Sequence, residues 1–95
     1  MKILRSFVTG LVVTLLAALP AIAADANLER DYEIALTKGQ YAIELRDYAT
    51  AIGHLKRALE LKPNDQTARI SLGIAYSRSG NDAAAQDVLQ QVVAT

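Results

Sequence analysis

Apolar residues recur along most of this chain at steps of three and four. Ala35, Leu36, Gly39, Ala42 and Ile43 make one stripe, and Ala51, Ile52, Leu55, Ala58 and Leu59 make a second. Leu72, Ala75 and Tyr76 repeat the spacing, as do Ala85, Val88, Leu89 and Val92. Such steps put side chains on one face of an α-helix, and no stretch after residue 23 alternates apolar with polar residues as a half-buried strand would. Polar punctuation separates the stripes at Arg46-Asp47, Lys62-Pro63-Asn64-Asp65 and Ser79-Gly80-Asn81-Asp82. Pro63 stops the incoming helix, while Asp47 and either Asn64 or Asp65 can cap the next one. Gly80 suits the left-handed residue that ends a helix. The pattern predicts helices near 27–45, 48–61, 65–78 and 82–94. The short turns between them make sequential helices antiparallel neighbours.

The first 23 residues follow another rule. Lys2 and Arg5 precede an uncharged run from Ser6 to Ala24, whose core Phe7–Leu19 is too short to cross a bilayer as a helix. Pro20 ends the run, and Ala21-Ile22-Ala23 has the small-x-small pattern of a signal peptidase site. Residues 1–23 are therefore expected to be a secretory signal peptide, cleaved after Ala23, with residues 24–31 as a lead-in. The alternative is an uncleaved inner-membrane anchor that retains residues 6–24. No cysteine is present to receive a lipid.

Composition narrows the chemistry. In 95 residues there is no cysteine and one histidine, His54, which excludes disulfides, thiolate metal sites, a cysteine nucleophile and a multi-histidine zinc site. Ten bases balance ten acids; losing Lys2 and Arg5 leaves eight against ten, a net charge of −2. Such a surface offers nothing to a phosphate backbone, so nucleic acid is excluded as a partner. Without cysteine, an exported domain holds together by packing alone.

The chain also repeats itself. At a lag of 34 residues, Asp31, Gly39, Ala49, Ala51 and Leu55 meet Asp65, Gly73, Ala83, Ala85 and Leu89. Leu36/Ile70, Asp47/Asn81 and Leu59/Val93 match conservatively in the same register. One unit, 32–65, contains Gly39, Asp47-Tyr48, Ala51-Ile52, Leu55, Ala58-Leu59-Glu60-Leu61 and Pro63. The next, 66–95, contains Leu72-Gly73, Tyr76, Gly80-Asn81, Ala85 and Leu89. This sequence resembles the tetratricopeptide repeat, a helix–turn–helix unit of that period. The resemblance implies an all-α fold of two hairpins in a short right-handed solenoid. Gly39 and Gly73 would let paired helices approach closely, with Ala51, Ala58 and Ala85 small for the same reason. Lys38, Ala42 and Asp82 depart from their counterparts Leu72, Tyr76 and Tyr48.

The resemblance further implies a peptide-binding groove on the first helix of each unit. Carried over by register, it holds Glu33, Leu36, Gln40, Ile43 and Glu44 from the first unit, then Thr67, Ile70, Ile74, Ser77 and Arg78 from the second. The lysine–asparagine clamp of chaperone-binding relatives is missing. An apolar strip of Leu36, Ile43, Ile70 and Ile74 suits the apolar face of a helix or an extended segment instead. The competing reading packs these residues against 25–31 or against a second copy.

Catalysis finds little support. His54 has no spaced nucleophile or acid–base partner, and reads as a partly exposed surface residue. Glu29, Asp31 and Glu33 read as favourable charge at a helix start rather than a metal site. None of Asn27, Asn64 or Asn81 opens a glycosylation triplet. The second unit stops before its proline with no capping helix, an arrangement expected to expose apolar surface and favour self-association. The expected function is that of a non-enzymatic adaptor of the bacterial periplasm, without cofactor or metal, binding a protein or peptide of the cell envelope. The alternatives are a membrane-anchored accessory subunit, a self-associating structural protein and, more remotely, a small enzyme.

Overall fold

The computed structural model describes residues 24–94, and the expected signal peptide lies outside them. Four helices make up this part: α1 over 24–44, α2 over Tyr48–Leu61, α3 over Gln66–Arg78 and α4 over Asp82–Ala94. The boundaries agree with the apolar pattern to within a few residues. The main difference is at the front, where α1 already includes residue 24 instead of starting near 27, so that the lead-in 24–31 is helical throughout. A segment continuous with the helix cannot fold back to cover that helix's own groove face. Glu29, Asp31 and Glu33 consequently sit beyond the first turn, where the helix-dipole reading no longer holds.

Two of the three turns share one design. At the end of α1, Asp47 N–H donates to the Ala42 carbonyl at 2.9 Å, and Arg46 N–H to that of Ile43 at 3.0 Å. After α3, Asn81 N–H donates to Tyr76 O at 2.9 Å, and Gly80 N–H to Ser77 O at 3.1 Å. This six-to-one and five-to-two pair needs a left-handed residue, supplied by Arg46 at φ 62° and Gly80 at φ 87°. The residue that follows each then caps the next helix. Asp47 Oδ1 accepts from Thr50 N–H, and Asn81 Oδ1 from Ala84 N–H, both at 3.3 Å.

The middle turn is built on Pro63. Of its two candidate caps it uses Asp65, whose carboxylate accepts Ala68 N–H at 2.8 Å. The same carboxylate accepts the phenol of Tyr32, joining the start of α3 to α1. Lys62 bonds Glu29 at 2.7 Å and lies 4.2 Å from the Tyr32 ring centroid. Glu29 thus answers a lysine across the fold.

The core consists of small residues that let the helices come close. Ala51, Leu55, Ala58, Ala68 and Ala75 are fully buried. One cluster joins Ala42, Ile43, Ala51, Leu55, Leu72 and Ala75; a second joins Tyr32, Ala35, Ala58 and Ala68. Both take residues from α1, α2 and α3, so each hairpin seats on the next. Helix approach within each hairpin depends on glycine. A Cβ on Gly39 would lie 2.6 Å from Leu55 Cγ, and one on Gly73 2.6 Å from Leu89 Cγ. The leucine–glycine pairing recurs at the repeat period, as the sequence register implies.

Candidate functional site

The ten residues expected in the groove come from α1 and α3, and the structure treats them unequally. Ile43 is 8% exposed and belongs to the core, so it leaves the apolar strip. Its packing against α2 and α3 is the physical reason, because the last turn of α1 must bury something as it enters the Arg46 turn. Leu36 is half-buried and touches both clusters. Ile70 and Ile74 are 42% and 36% exposed, one turn apart on α3. These three residues remain as the apolar part of the strip.

The polar members surround it. Gln40 is exposed, and its Nε2 donates to Ser71 Oγ at 3.3 Å. Ser71 is buried at 8% exposure, so this bond both satisfies the hydroxyl and ties α1 to α3. Glu33, Glu44, Thr67, Ser77 and Arg78 are exposed. The face therefore offers an apolar centre with acids along α1 and one arginine at the end of α3. Such a surface can bury apolar side chains and orient them by a few polar contacts.

Electrostatics close to this face concentrate on Tyr32. Burial raises its phenol pKa well above the ordinary tyrosine value, helped by the hydrogen bond to Asp65 and by the charges of Asp65, Glu33 and Glu29. The phenol remains protonated and serves as the donor that holds the α1–α3 junction. It faces no reactive group. His54 is half-buried on α2, as its sequence context suggests. Among the described residues no group of three or more His, Cys, Asp or Glu could hold a metal ion, and no buried side-chain nitrogen or oxygen lacks a partner. No helix among them is long and apolar enough to cross a membrane.

Sequence reasoning missed one surface. Ile34, Tyr41 and Leu45 stand 46%, 59% and 61% exposed on another side of α1. The signal is present in the repeat register, since Ile34 and Tyr41 fall where the second unit has Ala68 and Ala75.

Comparison with known proteins agrees with this architecture. A family model of the tetratricopeptide repeat matches residues 42–95, more than half of the chain. No curated protein and no solved structure matches it. The match runs from the last turn of α1 to α4, and so includes the Arg46 and Gly80 turns, the buried Ala51, Leu55 and Ala58, and Pro63. Helical hairpins repeating at 34 residues, with glycine opposite leucine in each, place this chain in the tetratricopeptide repeat family.

Proposed function

We propose that this chain is an exported protein-interaction module that binds an apolar helix or extended segment of a cell-envelope protein on its α1–α3 face. Tetratricopeptide repeats are interaction modules, which supports a protein partner in general. The observation that carries the finer reading is the exposure of Ile70 and Ile74 on adjacent turns, at the register positions equivalent to Leu36 and Gln40. Two exposed isoleucines beside half-buried Leu36 give an incoming apolar residue a place to be desolvated. Gln40, Glu33, Glu44, Thr67, Ser77 and Arg78 form the polar rim that would set its direction. The signal-like pattern of residues 1–23 supports export to the periplasm, with the mature chain beginning at Ala24. In this reading no residue performs catalysis and no cofactor is needed.

The test is capture from envelope extracts with the wild-type chain and with an Ile70→Asp/Ile74→Asp variant, both checked for helix content. A partner retained by the wild type and lost by the folded variant supports the groove. Equal capture by both would move the binding site elsewhere.

A further inference from the structure

Ile34, Lys38, Tyr41 and Leu45 follow one another along the chain at steps of four, three and four, and so share one side of α1 and its closing turn. In the register of the repeat their counterparts are Ala68, Leu72, Ala75 and Ser79. Ala68 and Ala75 are fully buried and Leu72 is 4% exposed, because that side of α3 seats on the preceding hairpin. The equivalent side of α1 stays open and carries larger apolar groups.

Helix α4 supplies a matching surface. In α2, Tyr48 and Ile52 lie half-buried against the cluster that contains Leu72. Their counterparts in α4 are Asp82 and Gln86, both exposed. Where Ile52 packs on the cluster holding Leu72 inside the chain, the same register would bring Gln86 and Asp82 to Lys38 between chains. Apolar residues have been exchanged on both sides of that seam, and the exchanged groups are complementary: a lysine on α1, an amide and a carboxylate on α4.

We propose that the outer side of α1 docks α4 of a second copy of this chain, head to tail, in the register of the α2–α3 seam but at a wider helix spacing, because Ile34 and Tyr41 stand where Ala68 and Ala75 let that seam close. Ile34, Tyr41 and Leu45 provide the apolar burial, and Lys38 selects the acidic end of α4. The two surfaces differ, so the contact is heterologous and propagates from copy to copy. This face is separate from the α1–α3 groove, and its failure would leave the proposed function standing.

Sedimentation velocity on the mature chain, residues 24–95, over a wide concentration range tests the proposal. The sedimentation coefficient should rise with concentration. Lys38→Glu and Gln86→Lys should each weaken association by about tenfold or more, since each places like or mismatched charge at the seam. The combined Lys38→Glu/Gln86→Lys variant should recover most of the loss. Both substitutions are at exposed positions, and circular dichroism checks that the helices persist. A monomer at every concentration would overturn the proposal. So would association that responds to Lys38→Glu but not to Gln86→Lys, which would mean that two α1 faces pair with each other. Because the chain has no cysteine, Lys38→Cys and Gln86→Cys can be combined for cross-linking. A ladder of dimers, trimers and higher species is expected on oxidation; its absence in an associating sample would also count against the head-to-tail contact.

Discussion

The two hairpins use nearly the same backbone hydrogen bonds and bury their side chains very differently. In the first, Leu55 fills the space opposite Gly39 and is fully buried, with α3 closing over it. In the second, Leu89 fills the space opposite Gly73 but stays 36% exposed. The first turn takes its left-handed residue from Arg46, and the second takes it from Gly80. Local geometry thus repeats with the sequence, while burial depends on what is stacked beyond each hairpin. A residue's repeat position tells what it touches within its hairpin, but its energetic weight comes from its neighbours in the stack.

Leucine truncation should break the equivalence most widely. Leu55→Ala removes a fully buried side chain from the shared cluster and is expected to cost about 2–5 kcal/mol. Leu89→Ala leaves a gap that opens to solvent and should cost roughly 1–2 kcal/mol, less than a fully enclosed cavity. Urea denaturation of both variants measures the difference, and equal losses would contradict it.

The glycines opposite these leucines should differ in the same sense by a smaller amount. At Gly39 an added methyl meets Leu55, which has nowhere to go, and overpacking of about 1–3 kcal/mol outweighs the helix propensity gained. At Gly73 the methyl meets Leu89, which can swing outward. Gly73→Ala is therefore expected to be close to neutral, and the gap between the two variants in thermal unfolding sharpens the comparison.

The turns give the smallest effect, with the signs reversed. Arg46 holds φ 62°, a conformation that costs a side-chain-bearing residue about 1 kcal/mol. Arg46→Gly should raise stability by up to roughly that amount, and Gly80→Ala should lower it similarly. A destabilising Arg46→Gly would mean that the arginine side chain supports the turn by contacts of its own.

Several features were readable from residues alone because they depend on local chemistry. The helix periods, the Pro63 break, the Asp47 cap and the left-handed Gly80 all follow from steps of three and four and from the special backbone preferences of a few residue types. Arg46 was not readable as a left-handed residue, since arginine has no preference for that conformation; only the register with Gly80 points to it. The choice of Asp65 over Asn64 as cap was undecidable locally, because it also depends on Tyr32 reaching the same carboxylate from α1. For the groove, register pointed to α1 and α3 and counted Ile43 in the strip, although its burial is set by helices contributed from elsewhere in the chain.

By itself the sequence determined the helices, the places of the turns between them, the repeat period and the family, all of which arise from short-range periodicity and backbone preference. Tertiary structure decided which faces remained open. Ile34 and Tyr41 lie exposed where Ala68 and Ala75 lie buried, although the register makes them equivalent. The physical reason is that burial is a property of contact between elements, and a repeat fixes the shape of each element without fixing what rests against it.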